Sequence, residues 1–370
     1  MMQFIFFALS TIMLIAGHAL FWYIFIKLFH ITAVQQQVLV AAVIFGLFLS
    51  AVVSSYISHK WDNIVTRTYY IFSGVWIGFF MNLCLMALLV LATKYTGRLF
   101  GWYMPYDTIK IIFFGGAALL SAFGIYRVWM PVITEYEVAI RDLPEAWDGK
   151  TIVQLSDVHL GPVYQKKFFS RLIKKINDLK PEALFITGDL FDGTEAEFAW
   201  LNHPFTKLNV PKGIYYGFGN HDLYLGFNRV IALLKENPVE ILDNKMVIVD
   251  GLQIIGVNYS FNSGFNLEEE ILKQVNYSRT KPSILLLHAP RNIELAKRAG
   301  IDMQLSGHTH DGQLWPFNYL IQWAHHGYGY GFFQEGDFSL VVNSGAGTWG
   351  PPMRTAARSE IVKIVLRRKQ

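Results

Sequence analysis

Gly213-Ile214-Tyr215-Tyr216-Gly217-Phe218-Gly219-Asn220-His221-Asp222 decides how the rest of the chain is read. Its first six residues form an apolar run that reads as a buried strand. An amide, an imidazole and a carboxylate then follow on consecutive positions. In open α/β sheets, loops past the carboxyl ends of strands are where ligands bind. Gly-Asn and His-Asp are also ordinary turn chemistry, so the stretch does not decide its own meaning. The pattern has to recur elsewhere to count.

It does recur. Thr151–Leu155 leads to Ser156-Asp157-Val158-His159, and Ala183–Ile186 leads to Thr187-Gly188-Asp189-Leu190-Phe191-Asp192. Ile284–Leu287 leads to His288, and Met303–Leu305 to Ser306-Gly307-His308-Thr309-His310. Two of these clusters hold i,i+2 pairs, Asp157/His159 and His308/His310. In extended chain, side chains two apart point the same way, so each pair presents two ligands to one point. Carboxylates, imidazoles and one amide without sulfur suit manganese, iron, zinc or magnesium. More groups are present than one ion needs, which suggests two ions sharing a carboxylate, the arrangement used on phosphorus esters.

The surrounding pattern is that of an α/β fold. Thr134–Ile140 alternates at period two and reads as an edge strand. Val247–Val249, Leu252–Val257, Leu340–Val342 and Ile361–Leu366 are further strands, with Asp250-Gly251 a hairpin turn. Helices are expected at Gln165–Leu179, Asn228–Lys235, Leu267–Val275 and Asn292–Arg298.

The chain has 370 residues, and its charge is unevenly placed. Residues 1–130 carry seven Lys/Arg and two Asp/Glu; residues 131–370 carry 25 and 26. The net +4 therefore divides into +5 and −1. The second part has no basic balance, which argues against a nucleic-acid partner. The single cysteine, Cys84, lies in an apolar segment and excludes an intrachain disulfide.

Residues 1–130 read as a transmembrane region with spans at about 4–26, 38–58, 71–93 and 109–130. Each run is long enough to cross ~30 Å of hydrocarbon. Aromatic residues such as Trp22, Tyr70 and Trp102 gather near run ends. Gly115 to Ala118 suggests a close helix contact. Lys60, Arg67, Arg127, Arg141 and Lys150 fall on the side of the termini, and Lys27, Lys94, Arg98 and Lys110 on the other. That balance leans only weakly to a cytoplasmic catalytic part. His18, alone well inside a span, reads as a neutral imidazole bonded to a neighbouring helix. The four helices serve as anchor and platform.

Asp157-x-His159, Gly188-Asp189 with Asp192, Gly219-Asn220-His221-Asp222, His288 and Gly307-His308-Thr309-His310 resemble the calcineurin-like metallophosphoesterases. The match covers residues 134–370 in the family's motif order. It looks most like the membrane-associated branch with UDP-2,3-diacylglucosamine pyrophosphatase-like enzymes and small bacterial phosphodiesterases. Leu155 to His159, Gly188 to Gly193, Asp311-Gly312-Gln313 and the glycine-rich 343–347 support that branch. The resemblance implies a four-layer α/β/β/α sandwich after the transmembrane region, in a bacterial cell membrane. It also implies two divalent ions, with manganese favoured. Asp157, His159 and His310 would hold the first ion. Asn220, His288 and His308 would hold the second, with Asp189 bridging. His221 would be the general acid, with Asp222 orienting it and Asp192 standing further out. Asp311 departs from the usual glycine and is left out of the ligand set.

The function this implies is a membrane-anchored phosphodiesterase or pyrophosphatase, attacking phosphorus with a metal-bridging hydroxide. Its substrate would be lipid-linked or nucleotide-linked. The alternatives are a phosphomonoesterase or phosphoprotein phosphatase on a soluble substrate, and a non-catalytic metal-site scaffold. Arg354 is placed either on a phosphate or on the solvated surface. Trp315 to Phe333 is rich in aromatic rings. Its glycines read as breaking any helix, so it is expected to be a long loop over the metal site.

Overall fold

The computed structural model describes residues 2–194, 196–259 and 272–369; for residues 2–10 it describes the backbone only. Most of the helix expected at Leu267–Val275 lies outside the described residues. By contacts the chain divides into two units, Met1–Ile125 with Gly350–Pro352, and Tyr126–Trp349 with Met353–Gln370.

The first unit is helical: Met2–Leu28, Val34–Ser58, Ile64–Leu99, and a helix that starts at Tyr106. The last runs to Trp129 through a π-helical turn at Ile111–Gly115. All four are long and apolar enough to cross a membrane. Asn63 caps the third, accepting from the N–H groups of Val65 and Thr66 at 2.9 and 3.1 Å. Phe21, Ile44, Phe80, Leu83, Phe113 and Ala117 pack where the helices meet. The small-residue expectation holds at Gly116, where a Cβ would stand 2.6 Å from Met86 Sδ. His18 differs from its expectation. Its Nδ1 bonds the Leu14 carbonyl of its own helix at 2.8 Å. Only its ring reaches another helix, stacking on Phe80 at 3.7 Å. An imidazole four residues on from a carbonyl can place one ring nitrogen on its own helix.

The second unit holds two six-stranded sheets. Its strands are β1 Val132–Arg141, β2 Thr151–Leu155, β3 Ala183–Thr187, β4 Ile214–Gly217, β5 Val239–Ile241 and β6 Lys245–Val249. They continue as β7 Leu252–Val257, β8 Ser283–Leu287, β9 Met303–Ser306, β10 Gly331–Glu335, β11 Phe338–Val342 and β12 Glu360–Lys369. The orders are β1-β12-β2-β3-β4-β5 and β10-β11-β9-β8-β7-β6. The hairpin turn forms as expected, joining antiparallel β6 and β7 through positive φ at Asp250 and Gly251.

Alternation along the strands builds the layers. Ile284 and Leu286 face the space between the sheets with Ile152, Phe185 and Val341. Leu285 and Leu287 face outward, under Ala296 and Ala299. On the other sheet Val153, Leu184 and Ile186 face outward, under Phe168, Phe169, Leu172 and Ile176 of the helix Lys166–Asp178. The result is the four-layer α/β/β/α sandwich. Because β2, β3 and β4 pair in parallel, their carboxyl ends share one sheet edge. β8 and β9 do the same in the second sheet.

Leu286 is 1 % exposed, between the two sheets. Leu286→Ala should therefore lower unfolding stability by about 2–5 kcal/mol, read as a lower thermal midpoint of the purified protein in detergent.

Candidate metal centre

The loops after the parallel strands bring the polar clusters together. Three groups of side chains have ligand atoms within 4.8 Å of one another: Asp157/His159/His310, His159/Asp189/His221, and Asp189/His288/His308. His159 Nε2 and His310 Nε2 stand 3.1 Å apart, and His310 Nε2 is 3.4 Å from Asp157 Oδ1. His288 Nε2 is 3.1 Å from Asp189 Oδ2. Its Nδ1 bonds the Thr187 carbonyl at 2.7 Å, which aims Nε2 at the carboxylate. Two imidazole nitrogens facing each other beside a carboxylate oxygen, with a second carboxylate–imidazole pair close by, make a nitrogen/oxygen donor set that fits divalent ions. Asn220 adds an independent sign: its Oδ1 is buried without a hydrogen-bond partner.

Of the i,i+2 pairs, Asp157 and His159 share one group while His308 and His310 fall in different ones, and neither pair is built on extended backbone. Asp157, His159, Asp189, His308 and His310 all have positive φ, between 51° and 72°. This left-handed region costs energy for residues with a Cβ, and such strain gathers at functional sites. Left-handed loops turn the side chains back over the strand ends. Neighbouring glycines make room. A Cβ at Gly219 would collide with Asp189 Oδ1, and one at Gly307 with Ser156 Oγ and Asp157 Oδ2.

Asp222 has a different place from the one expected. Its carboxylate accepts from the backbone N–H groups of Asp189 and Gly219, each at 2.8 Å, and of Phe191 at 3.2 Å. The His221 ring is instead bonded through Nδ1 to the Asp192 carbonyl, at 3.0 Å. Asp222 therefore ties two loops together and does not orient His221. The stretch Asn220–Leu225 is also a short helix, not a turn. Asp222 lies in its first turn, where a carboxylate suits the exposed N–H groups. Asp192 stands behind His159, its Oδ1 3.4 Å from Nδ1.

Burial dominates the electrostatics. It raises Asp222 to about 7, helped by the charge of Asp189 and opposed by its backbone bonds. It lowers His308 to about 3, with the charge of His288 adding to the effect. His310 is also held well below the usual imidazole range, first by burial and then by His159. Neutral imidazoles are the form that ligates metals. At His288 burial is overcome by the Asp189 carboxylate, which holds the group up at about 9. His221 is lowered by burial despite Asp189.

Arg354 is not on the solvated surface. It is fully buried. Its guanidinium donates to the Ser344 and Gly347 carbonyls at 2.6 and 2.7 Å and lies 3.0 Å from His310 Nδ1. It thus pins the glycine-rich turn against a candidate ligand. Asp311, half-buried with positive φ, is raised to about 6 by burial and hydrogen-bonded to Gln322. The expected aromatic loop is also corrected. Phe317–Ala324 is a helix, and Gly331–Glu335 is β10, paired with β11. The glycines lie outside that helix, so they bound it without breaking it.

Sequence reasoning missed several neighbours. The Ser156 hydroxyl donates to Asp157 Oδ2 at 2.5 Å. The Tyr259 ring stands 5.5 Å from the His308 ring, and the Arg291 guanidinium lies 4.7 Å over Tyr259. Arg291, three residues after His288, carried the one available signal: a cation just past a candidate ligand.

Removing Asp222 strands three backbone donors, each worth about 1–3 kcal/mol when buried and unpaired. Asp222→Ala should lower both the thermal midpoint and the bound metal measured by plasma mass spectrometry. His221→Gln should change neither.

Comparison with known proteins agrees with this geometry. The family model described as calcineurin-like phosphoesterase matches residues 150–312. An uncharacterized metallophosphoesterase of Campylobacter jejuni is 33 % identical over 268 residues, 71 % of this chain and 71 % of that one. One from Aquifex aeolicus is 31 % identical over 261 residues, 68 % of this chain and 98 % of its own. A Danio rerio relative named transmembrane protein with metallophosphoesterase domain is 30 % identical over 268 residues, 68 % of this chain and 61 % of its own. With its strand-end aspartates and histidines and this shared sequence, the chain belongs to the calcineurin-like metallophosphoesterases.

Proposed function

We propose that the protein is a membrane-anchored phosphodiesterase or pyrophosphatase acting on a lipid-linked or nucleotide-linked substrate. Residues 1–130 form the membrane region and residues 134–370 the catalytic domain. The observation that carries the reading is that Asp189 falls in one group with His159 and in another with His288 and His308, while His159 also groups with Asp157 and His310. In this reading Asp157, His159 and His310 hold one divalent ion. Asn220, His288 and His308 would hold the other, with Asp189 available to both. Manganese is the favoured metal. The ions, when bound, supply Lewis-acid stabilisation of the phosphoryl oxygens and lower the pKa of the attacking water.

The chain's own groups do the rest. His221 donates a proton to the departing oxygen. Its Nδ1 is held by the Asp192 carbonyl, which leaves Nε2 for the substrate. Burial keeps its pKa below the usual value, so the imidazolium is a ready donor once formed. A phosphoryl charge beside it favours that protonated form. Asp222 and Arg354 keep the loops in register.

The aromatic helix supports a lipid-linked substrate. Trp315, Tyr319, Leu320 and Trp323 are all exposed, Trp323 at 77 %. Positions 319, 320 and 323 share one face of the helix Phe317–Ala324, and Trp315 lies just before its start. The helix begins seven residues after His310, and rings of this kind suit a membrane interface. In this reading the catalytic domain faces the cytoplasm.

Metal-reconstituted protein in detergent should hydrolyse phosphodiesters or pyrophosphates faster than aryl phosphomonoesters, with Asp189→Ala as the blank. Faster monoester turnover would move the assignment to a phosphomonoesterase. His221→Ala should lose about 10²–10⁴ in turnover while keeping its metal. The double variant Trp315→Ala/Trp323→Ala should slow a lipid diester much more than a soluble aryl diester; equal losses would remove the interfacial role.

A further inference from the structure

The helix Lys166–Asp178 buries one face and sets Lys166, Lys167, Arg171 and Lys174 on the other. Beside it is a cleft of about 490 Å³. It is lined by Tyr126, Trp129 and Met130 from the end of the helix Tyr106–Trp129 and just past it, and by Arg171, Lys174 and Lys175 from the helix Lys166–Asp178. The buried Phe168 and Leu172 also line it, together with the carboxylate of Asp178. The Arg171 guanidinium lies 5.6 Å from the Trp129 ring, which also meets Phe168 edge-on at 5.4 Å. None of the candidate metal ligands lines this cleft.

Its position in the chain says what it meets. Trp129 is the last residue of the apolar helix Tyr106–Trp129. Tyr126, Trp129 and Met130 are 60, 37 and 53 % exposed. Large amphipathic rings at the end of a span sit at headgroup level. Basic side chains immediately beyond a span attract anionic lipid. A lining that combines aromatic and apolar side chains with three basic ones matches a molecule with a tail and a phosphate.

We propose that this cleft holds the headgroup of an anionic phospholipid from the bilayer the chain spans. The phosphate is bound by Arg171, Lys174 and Lys175, and the first carbons of the acyl chains lie on Tyr126, Trp129 and Met130. The site is separate from the metal centre and does not rest on the substrate reading. It fastens the helical layer of the sandwich to the membrane surface.

The test is native mass spectrometry of the delipidated full chain, titrated with dioleoylphosphatidylglycerol, dioleoylphosphatidylcholine or inorganic phosphate. The wild-type protein should retain phosphatidylglycerol at least tenfold more tightly than phosphatidylcholine. Arg171→Gln/Lys174→Gln/Lys175→Gln should lose roughly a hundredfold of that affinity, and soluble phosphodiester turnover should stay unchanged. The control Lys235→Gln/Lys245→Gln should keep it. Equal binding of the two lipids, equal binding by the triple variant and wild type, or displacement of the lipid by millimolar phosphate would each overturn the proposal. The last result would make the cleft a free-anion site. The wild-type lipid comparison needs no variant, so it decides the matter even where the triple variant folds poorly.

Discussion

The candidate site depends on one buried carboxylate gathering backbone from two loops. Asp222 takes the N–H groups of Asp189, Gly219 and Phe191, which come from the turns after β3 and β4. Three donors on one carboxylate offset part of the cost of its burial, and their geometry fixes where the Asp189 side chain begins. Asp189 in turn accepts from the His221 amide at 2.8 Å, which closes the loop-to-loop link. Gly219 has to lack a side chain for this link to form, because a Cβ there would meet Asp189. Placement of the shared carboxylate is thus settled by main chain and glycine, before any metal is considered.

The same logic extends to the other sheet. Asp157 accepts from the His308 amide at 3.0 Å, and the glycine-rich turn is pinned by the buried Arg354. The loops after β2, β3 and β9 spend local strain, seen as positive φ at Asp157, His159, Asp189, His308 and His310, and long-range hydrogen bonds hold them there. The sandwich supplies the rigid base. Its inter-sheet core is apolar and closely packed, so the strand ends do not drift.

Much of this was legible in the sequence. Strands buried on both faces appear as short apolar runs, and β2, β3, β4, β8 and β9 each stop at a polar cluster. Metal chemistry admits few residue types, so those clusters stand out. The less legible features depend on partners distant in sequence. Asp222 looks like a companion of His221 because they are adjacent, yet its bonds go to another loop. Arg354 looks like a surface residue because burial of a guanidinium is visible only when the carbonyls around it are known. The three-residue β5 offers too few positions to show a period, and β10 opens on a glycine. Phe317–Ala324 is itself free of glycine, but its neighbours hide the helix.

The membrane helices and the metal centre obey different rules. The first are specified by length and apolarity, the second by a few side chains held within hydrogen-bond reach of one another. What joins the two in the proposed function is a substrate carrying both a phosphate ester and an apolar part. The central claim is that these loops hold two ions around Asp189, and anomalous X-ray diffraction from manganese-loaded crystals tests it most directly. The account predicts two peaks: one touching Asp157, His159 and His310, the other touching Asn220, His288 and His308, with Asp189 reaching both. A single peak, or peaks that leave Asp189 untouched, would contradict it.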